Sequence, residues 1–170
     1  MGVAQGGTLA LACFGLGWLL FGESSDNWFM SVRDYYRANP AAKAGMEVGT
    51  AFLIFTIPAL IFSPLGEEIF FRGFLDSALR ERLSAPAARW VDAAIFGAIH
   101  LFHHGITRNA DGQMALHPLS GALWMGLMTG VALLFARLRE RSGSLWPAVL
   151  AHAAFNLVMN AAIFTFFWRR

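Results

Sequence analysis

Residues 66–83 read GEEIFFRGFLDSALRERL, an apolar body interrupted by Glu67, Glu68, Arg72 and Asp76. Whether this stretch crosses a membrane or lies on its surface decides the fold, because the sequence on either side is strongly apolar. The chain has 170 residues, 56% hydrophobic and 14% charged, whereas a soluble domain carries about a quarter charged residues. Six Trp and 16 Phe without a charged surface to cover them point to lipid as the main solvent. Disorder is excluded by the same figures. A net charge of +2 and a pI near 9.2 are too small a basic excess for a nucleic-acid surface. The single cysteine, Cys13, allows no internal disulfide. The length fits one integral membrane domain, residues 1–170.

Working outward, residues 3–22, 48–65, 119–136 and 145–168 are each long enough to span as a helix. Residues 90–104 are apolar but short and fit only a thinned or tilted crossing. Hydropathy alone rejects 66–83, so the charges must arbitrate. If that stretch lies on the surface there are five crossings. Arg72 aside, the basic residues then divide six (Arg80, Arg82, Arg89, Arg137, Arg139, Arg141) against six (Arg33, Arg37, Lys43, Arg108, Arg169, Arg170). If it crosses there are six, and Arg33, Arg37 and Lys43 join the first group to give nine against three. The positive-inside rule prefers the second arrangement, with both ends outside the cytoplasm. The expected fold is an all-α polytopic transmembrane bundle of about six crossings. No basic residue precedes Arg33, so 3–22 lacks the basic flank of a signal peptide.

Between the first two spans, in residues 23–46, Trp28, Phe29, Val32, Tyr35 and Tyr36 fall on one helical stripe. Ser25 or Asp26 is placed to cap this helix and Asn39-Pro40 to stop it. With Arg33 and Arg37 beside it, the segment reads as an interfacial aromatic anchor. Gly126 and Gly130 form a GxxxG pair, expected to serve a contact within the fold.

Ionisable residues in a lipid-facing helix cost about 2.5–3.5 kcal/mol each, so they mark function by default. Glu68 and Arg72 stand at i and i+4, acid first, the better order for a helical ion pair. Glu67 lies about 100° around the helix, off that stripe. Arg72 is thus expected to hold Glu68 and leave Glu67 free for chemistry. His100 ends the 90–104 stretch, and His152 and Asn156, i and i+4, share a face of the last helix. With six crossings, Glu67, His100, His152 and Asn156 converge in the outer half of the bilayer. With five, Glu67 and His100 are expected on opposite faces. A carboxylate, two histidines and an amide suit hydrolysis by activated water: a base for the water and donors for the oxyanion. A structural polar cluster is the plainer reading of any one of them.

These residues resemble the motifs of the CPBP family, the CAAX-prenyl-protease and bacteriocin-processing (Abi) intramembrane proteases. Glu67-Glu68-Ile-Phe-Phe-Arg72-Gly73 is similar to EExxxR(G), Phe96-Gly-Ala-Ile-His100 to FxxxH, and His152-Ala-Ala-Phe-Asn156 to HxxxN, in order over about ninety residues. The resemblance implies a glutamic-type helical membrane protease with a core over 48–168. It implies Glu67 as general base, His100 and His152 in the water and oxyanion site, Asn156 as oxyanion donor, and Glu68 and Arg72 as support. Residues 1–46 carry none of these motifs. The implied partners are the bilayer and a membrane-anchored protein substrate. An outward-facing site favours a sorting-type enzyme, myxosortase-like or JDVT-like, that trims a C-terminal anchor, over a prenylated CAAX substrate.

No cofactor is expected. The metal alternative is zinc held by His100, His103 and His104, at i, i+3 and i+4, with Glu67 or Glu68. HExxH, GxGD and GxSxG are absent. A non-catalytic immunity or binding protein and a proton-coupled transporter are the non-protease readings.

Overall fold

The computed structural model describes residues 2–108 and 113–168. Its helices are α1 (Gly2–Phe21), α2 (Trp28–Arg37), the single turn α3 (Pro40–Lys43), α4 (Val48–Glu68), α5 (Asp76–Arg80), α6 (Ala85–Ile99), α7 (Pro118–Ser142) and α8 (Trp146–Ala162). π-helical runs at Ile69–Leu75 and Ile163–Phe167 join α4 to α5 and lengthen α8. A short antiparallel hairpin, β1 (Ile106–Arg108) with β2 (Met114–Leu116), links α6 to α7. Gly105 turns the chain into this hairpin at φ 117°, a left-handed value that disfavours any side chain.

Among the described residues, Gly2–Phe21, Val48–Arg80, Pro118–Ser142 and Trp146–Phe167 are long and apolar enough to cross a membrane. Leu19, Phe62, Phe74 and Leu119 on these helices are each at least 67% exposed. Such faces are bearable only in lipid, and the protein is an integral membrane helix bundle, as its composition led us to expect. α8 occupies the middle, packed against α1, α4 and α7.

The sixth crossing is not formed. Residues 48–80 make one helix of 33 residues with no turn at Gly66. Pro58 and Pro64 lie inside α4 without ending it. In hydrocarbon an opened helix leaves backbone groups without water at several kcal/mol each, so local Pro and Gly signals lose. At about 1.5 Å per residue this helix is roughly 50 Å long, against a hydrocarbon core of about 30 Å. Its charged Asp76–Arg80 end therefore projects beyond the lipid, and 66–83 needs no return crossing. Counting the short α6 as a fifth crossing restores the six-against-six division. The nine-against-three division and the outward placement of both ends fall with the missing turn. Of the residues in that tally, Arg169, Arg170 and the side chain of Arg108 lie outside the described residues.

Three smaller expectations are also corrected. The stripe on α2 packs onto the bundle instead of forming a lipid belt: Trp28 is fully buried and stacks on Trp124 with ring centroids 5.5 Å apart. Gly17 makes room for it, since a Cβ there would stand 2.9 Å from the indole. Tyr36 donates to Asn160 Oδ1 (3.0 Å), while Tyr35 is 78% exposed and belongs to no buried face. The cap is Asn27, which accepts from the Phe29 N–H, rather than Ser25 or Asp26. The helix does stop at Arg37, ahead of Asn39-Pro40. Gly126 and Gly130 face open space, where an added Cβ would meet nothing within 4 Å. The close helix contact belongs to α1, whose buried residues are Gly2, Gly6, Ala10, Cys13 and Gly17.

Candidate active site

Glu68 meets His152 while Ala59 meets Asn156, so α4 and α8 run antiparallel across the site. Glu68 is wholly buried. Its Oε1 accepts the Nδ1–H of His152 at 2.9 Å and a longer bond from Arg72 Nη1 at 3.4 Å, while Oε2 lies 3.3 Å from Arg72 Nε. The π-helical run that starts at Ile69 carries Arg72, and such wide turns often occur at functional sites. The guanidinium lies over the Phe96 ring at 4.6 Å, with Phe71 and Phe135 at 5.6 and 5.7 Å. These rings exclude water and supply a negative π-face to the cation.

Arg72 has a second carboxylate beside it. Asp92 on α6, 1% exposed, brings Oδ2 to 3.8 Å from Arg72 Nε. Sequence reasoning missed this residue. The rule that singled out Glu67 applied to it equally, as the acid in the apolar run 90–104. One guanidinium thus faces two buried carboxylates, and an unbalanced buried charge is costly.

Glu67 is turned away from this cluster. Its Oε1 accepts from Ser63 Oγ at 2.6 Å, and its side chain is 27% exposed. Its Oε2 makes no hydrogen bond and stands 4.0 Å from His152 Nε2. Because Nδ1 of that ring donates to Glu68, Nε2 bears the lone pair of the neutral imidazole. Two acceptors therefore face one another across this gap.

His100 is 7% exposed and donates from Nδ1 to the Phe96 carbonyl at 2.7 Å. The Phe96 ring packs beside both histidines, with its centroid 4.4 Å from that of His100 and 6.0 Å from that of His152. Five crossings do not part Glu67 from His100. Glu67 lies about 20 Å from the Arg80 end of its helix, and His100 about 22 Å from the start of α6, at 1.5 Å per residue. The two adjoining helices thus carry both residues to a similar height. Asn156 is placed differently: its Nδ2 donates to the Ala59 carbonyl at 2.8 Å, on α4 two turns before Glu67.

The three-histidine set does not assemble. His103 is exposed, its ring 5.0 Å from that of His100. His104 points elsewhere, with Nδ1 2.7 Å from Ser31 Oγ and Nε2 2.9 Å from Ser120 Oγ. Among the described residues no group of three or more His, Cys, Asp or Glu is arranged to hold a metal ion. His104 instead belongs to a polar cluster with His117, whose Nδ1 is 2.9 Å from Asp26 Oδ1. Burial, with His117 nearby, pushes the His104 imidazole down to about 4. The hydrogen bond from His117 holds Asp26 below the usual carboxylate range.

A family model described as type II CAAX prenyl endopeptidase Rce1-like matches residues 49–158. The match takes in Glu67, Glu68, Arg72, Asp92, His100, His152 and Asn156 and leaves out α1 and α2. Comparison with curated proteins gave no match, and comparison with solved structures gave none.

Proposed function

The chain belongs to the Rce1-like family of type II CAAX prenyl endopeptidases, and from that premise we propose that it hydrolyses a peptide bond of a membrane-anchored protein with Glu67 as the base. The observation that carries this reading is the unpartnered Glu67 Oε2 facing His152 Nε2 across 4.0 Å. A water in that gap donates one hydrogen to each acceptor. As its oxygen adds to the scissile carbonyl carbon, Glu67 takes the proton and later passes it to the leaving amine. Glu68 fixes the tautomer and direction of His152, and Arg72 fixes Glu68. Asn156 spends one amide hydrogen on Ala59 and keeps a second for the oxyanion; His100 lines the same space.

The substrate proposed is a protein whose C-terminal part lies in the bilayer. The charge division that ranked a sorting tail above a prenylated end fell with the sixth crossing, so the test uses both. The full chain, purified in lipid, is given a peptide with a prenylated C-terminus and one with a C-terminal apolar span. Cleavage of one or both is expected, with turnover lowered at least about 100-fold by Glu67→Gln and the unfolding midpoint unchanged. Full activity in Glu67→Gln removes the base role. Specific binding without cleavage favours the non-catalytic binding protein.

A further inference from the structure

At the opposite end of α6 from His100 lies a cleft of about 380 Å³, lined by Arg89 and Trp90 on α6 and by Leu133, Arg137, Glu140 and Arg141 on α7. Three guanidiniums and one carboxylate give this lining a formal charge of +2. That carboxylate has no oxygen to spare. Glu140 Oε2 accepts from Arg89 Nη1 and Oε1 from Arg80 Nη2, each at 2.7 Å. Arg137 and Arg141 are exposed, at i and i+4 on one face of α7, and no ion pair to either occurs among the described residues.

Basic residues near a helix C-terminus offset its dipole, which accounts for Arg141 in the last turn of α7. It does not account for Arg137, which precedes that turn, or for the apolar wall opposite. Trp90, 56% exposed, and Leu133 form that wall. A lining that combines cations with an indole and a leucine matches an amphiphile with an anionic head. The cleft stands where the charged ends of Val48–Arg80 and α7 leave the lipid, the level at which headgroups and interfacial tryptophans meet.

We propose that this cleft binds a phosphate group, supplied by the headgroup of an anionic phospholipid, with Arg137 and Arg141 as its ligands. The bound headgroup completes the charge balance that Glu140 leaves open and pins α6 to α7. The site is independent of the peptidase reading, since none of its residues touches Glu67 or His152.

The test follows the unfolding midpoint of the full chain in a neutral detergent during titration with phosphatidylglycerol, phosphatidylcholine or inorganic phosphate. A ligand of the native state raises the midpoint in a saturable way. Phosphatidylglycerol is expected to do so and phosphatidylcholine is not. The double variant Arg137→Ala/Arg141→Ala should weaken the apparent affinity about tenfold or more. Arg141→Glu, a single exposed change, should weaken it in the same direction. Lys43→Ala, an exposed cation at the other end of the bundle, should leave it unchanged. If inorganic phosphate gives the same shift at the same concentration and the double variant abolishes it, the phosphate site stands but its source is a soluble ester. No shift with phosphatidylglycerol and none with inorganic phosphate, or a shift that survives both arginine variants, overturns the proposal.

Discussion

Arg72 holds two carboxylates and three phenylalanine rings around one guanidinium, and its neighbours set what each substitution does. Arg72→Met leaves Glu68 and Asp92 buried without their cation and should destabilise the fold by about 3–5 kcal/mol, read from unfolding in lipid. Asp92→Asn removes one of two acids while leaving the Glu68–Arg72 pair intact, so its cost should be clearly smaller. An equal loss in both variants would show that Asp92 is the principal partner of Arg72. His104 makes a prediction about pH. Its folded value, about 4, lies below the unfolded histidine value of about 6.5, so the unfolded chain takes up the proton first as pH falls. Stability from neutral His104 is complete above about pH 6.5 and is lost as pH falls toward 4. Asp26, also depressed in the fold, adds a loss at lower pH, below the unfolded carboxylate value. The unfolding midpoint should fall across the first window, and His104→Gln should flatten that fall. At this scale the sequence was informative for Glu67, Glu68 and Arg72, because an i, i+4 pair is local geometry. The bond from Glu68 to His152 spans 84 residues, and no local rule reaches it.

The GxxxG pairs Gly2/Gly6 and Gly126/Gly130 are equivalent as patterns, yet of these only the first packs against another helix. A Cβ on Gly6 would collide with the Ala151 carbonyl and one on Gly2 with that of Pro147. Gly6→Leu should therefore disrupt the contact of α1 with α8 and cost about 1–3 kcal/mol, whereas Gly126→Leu should change stability by about 0.5 kcal/mol or less. Matched unfolding curves of the two variants check this, and a larger loss at Gly126 would mean that its face is covered. The contrast shows why element-scale reading stops short. Small residues permit close approach, but which helix approaches is settled by the whole packing. α2 teaches the same point, since its aromatic stripe is legible while its partner, Trp124, lies 96 positions away.

For the molecule as a whole, the unbroken helix from Val48 to Arg80 is long and apolar enough to cross a membrane, and a single crossing should put Lys43 and Arg82 on opposite faces. Six crossings would have placed them on the same face. In a Cys13→Ser background, Lys43→Cys and Arg82→Cys should therefore be labelled by an impermeant maleimide from opposite sides. Labelling of both from one side would restore the turn at Gly66. The even charge division leaves the bundle without a strong positive-inside bias, and this experiment also supplies its orientation.

The sequence by itself determined that the chain lives in lipid, that its elements are helices, and which scarce ionisable residues were worth following. Those follow from composition and from short-range geometry, which need no partner. Only the tertiary structure decided the unbroken helix from Val48 to Arg80, the joining of Glu68 to His152, the entry of Asp92 and the turning of Asn156 toward Ala59. Each of these depends on how far along one helix another begins. That offset is fixed by side-chain packing and by the cost of an opened backbone in hydrocarbon, not by the residues of either helix alone.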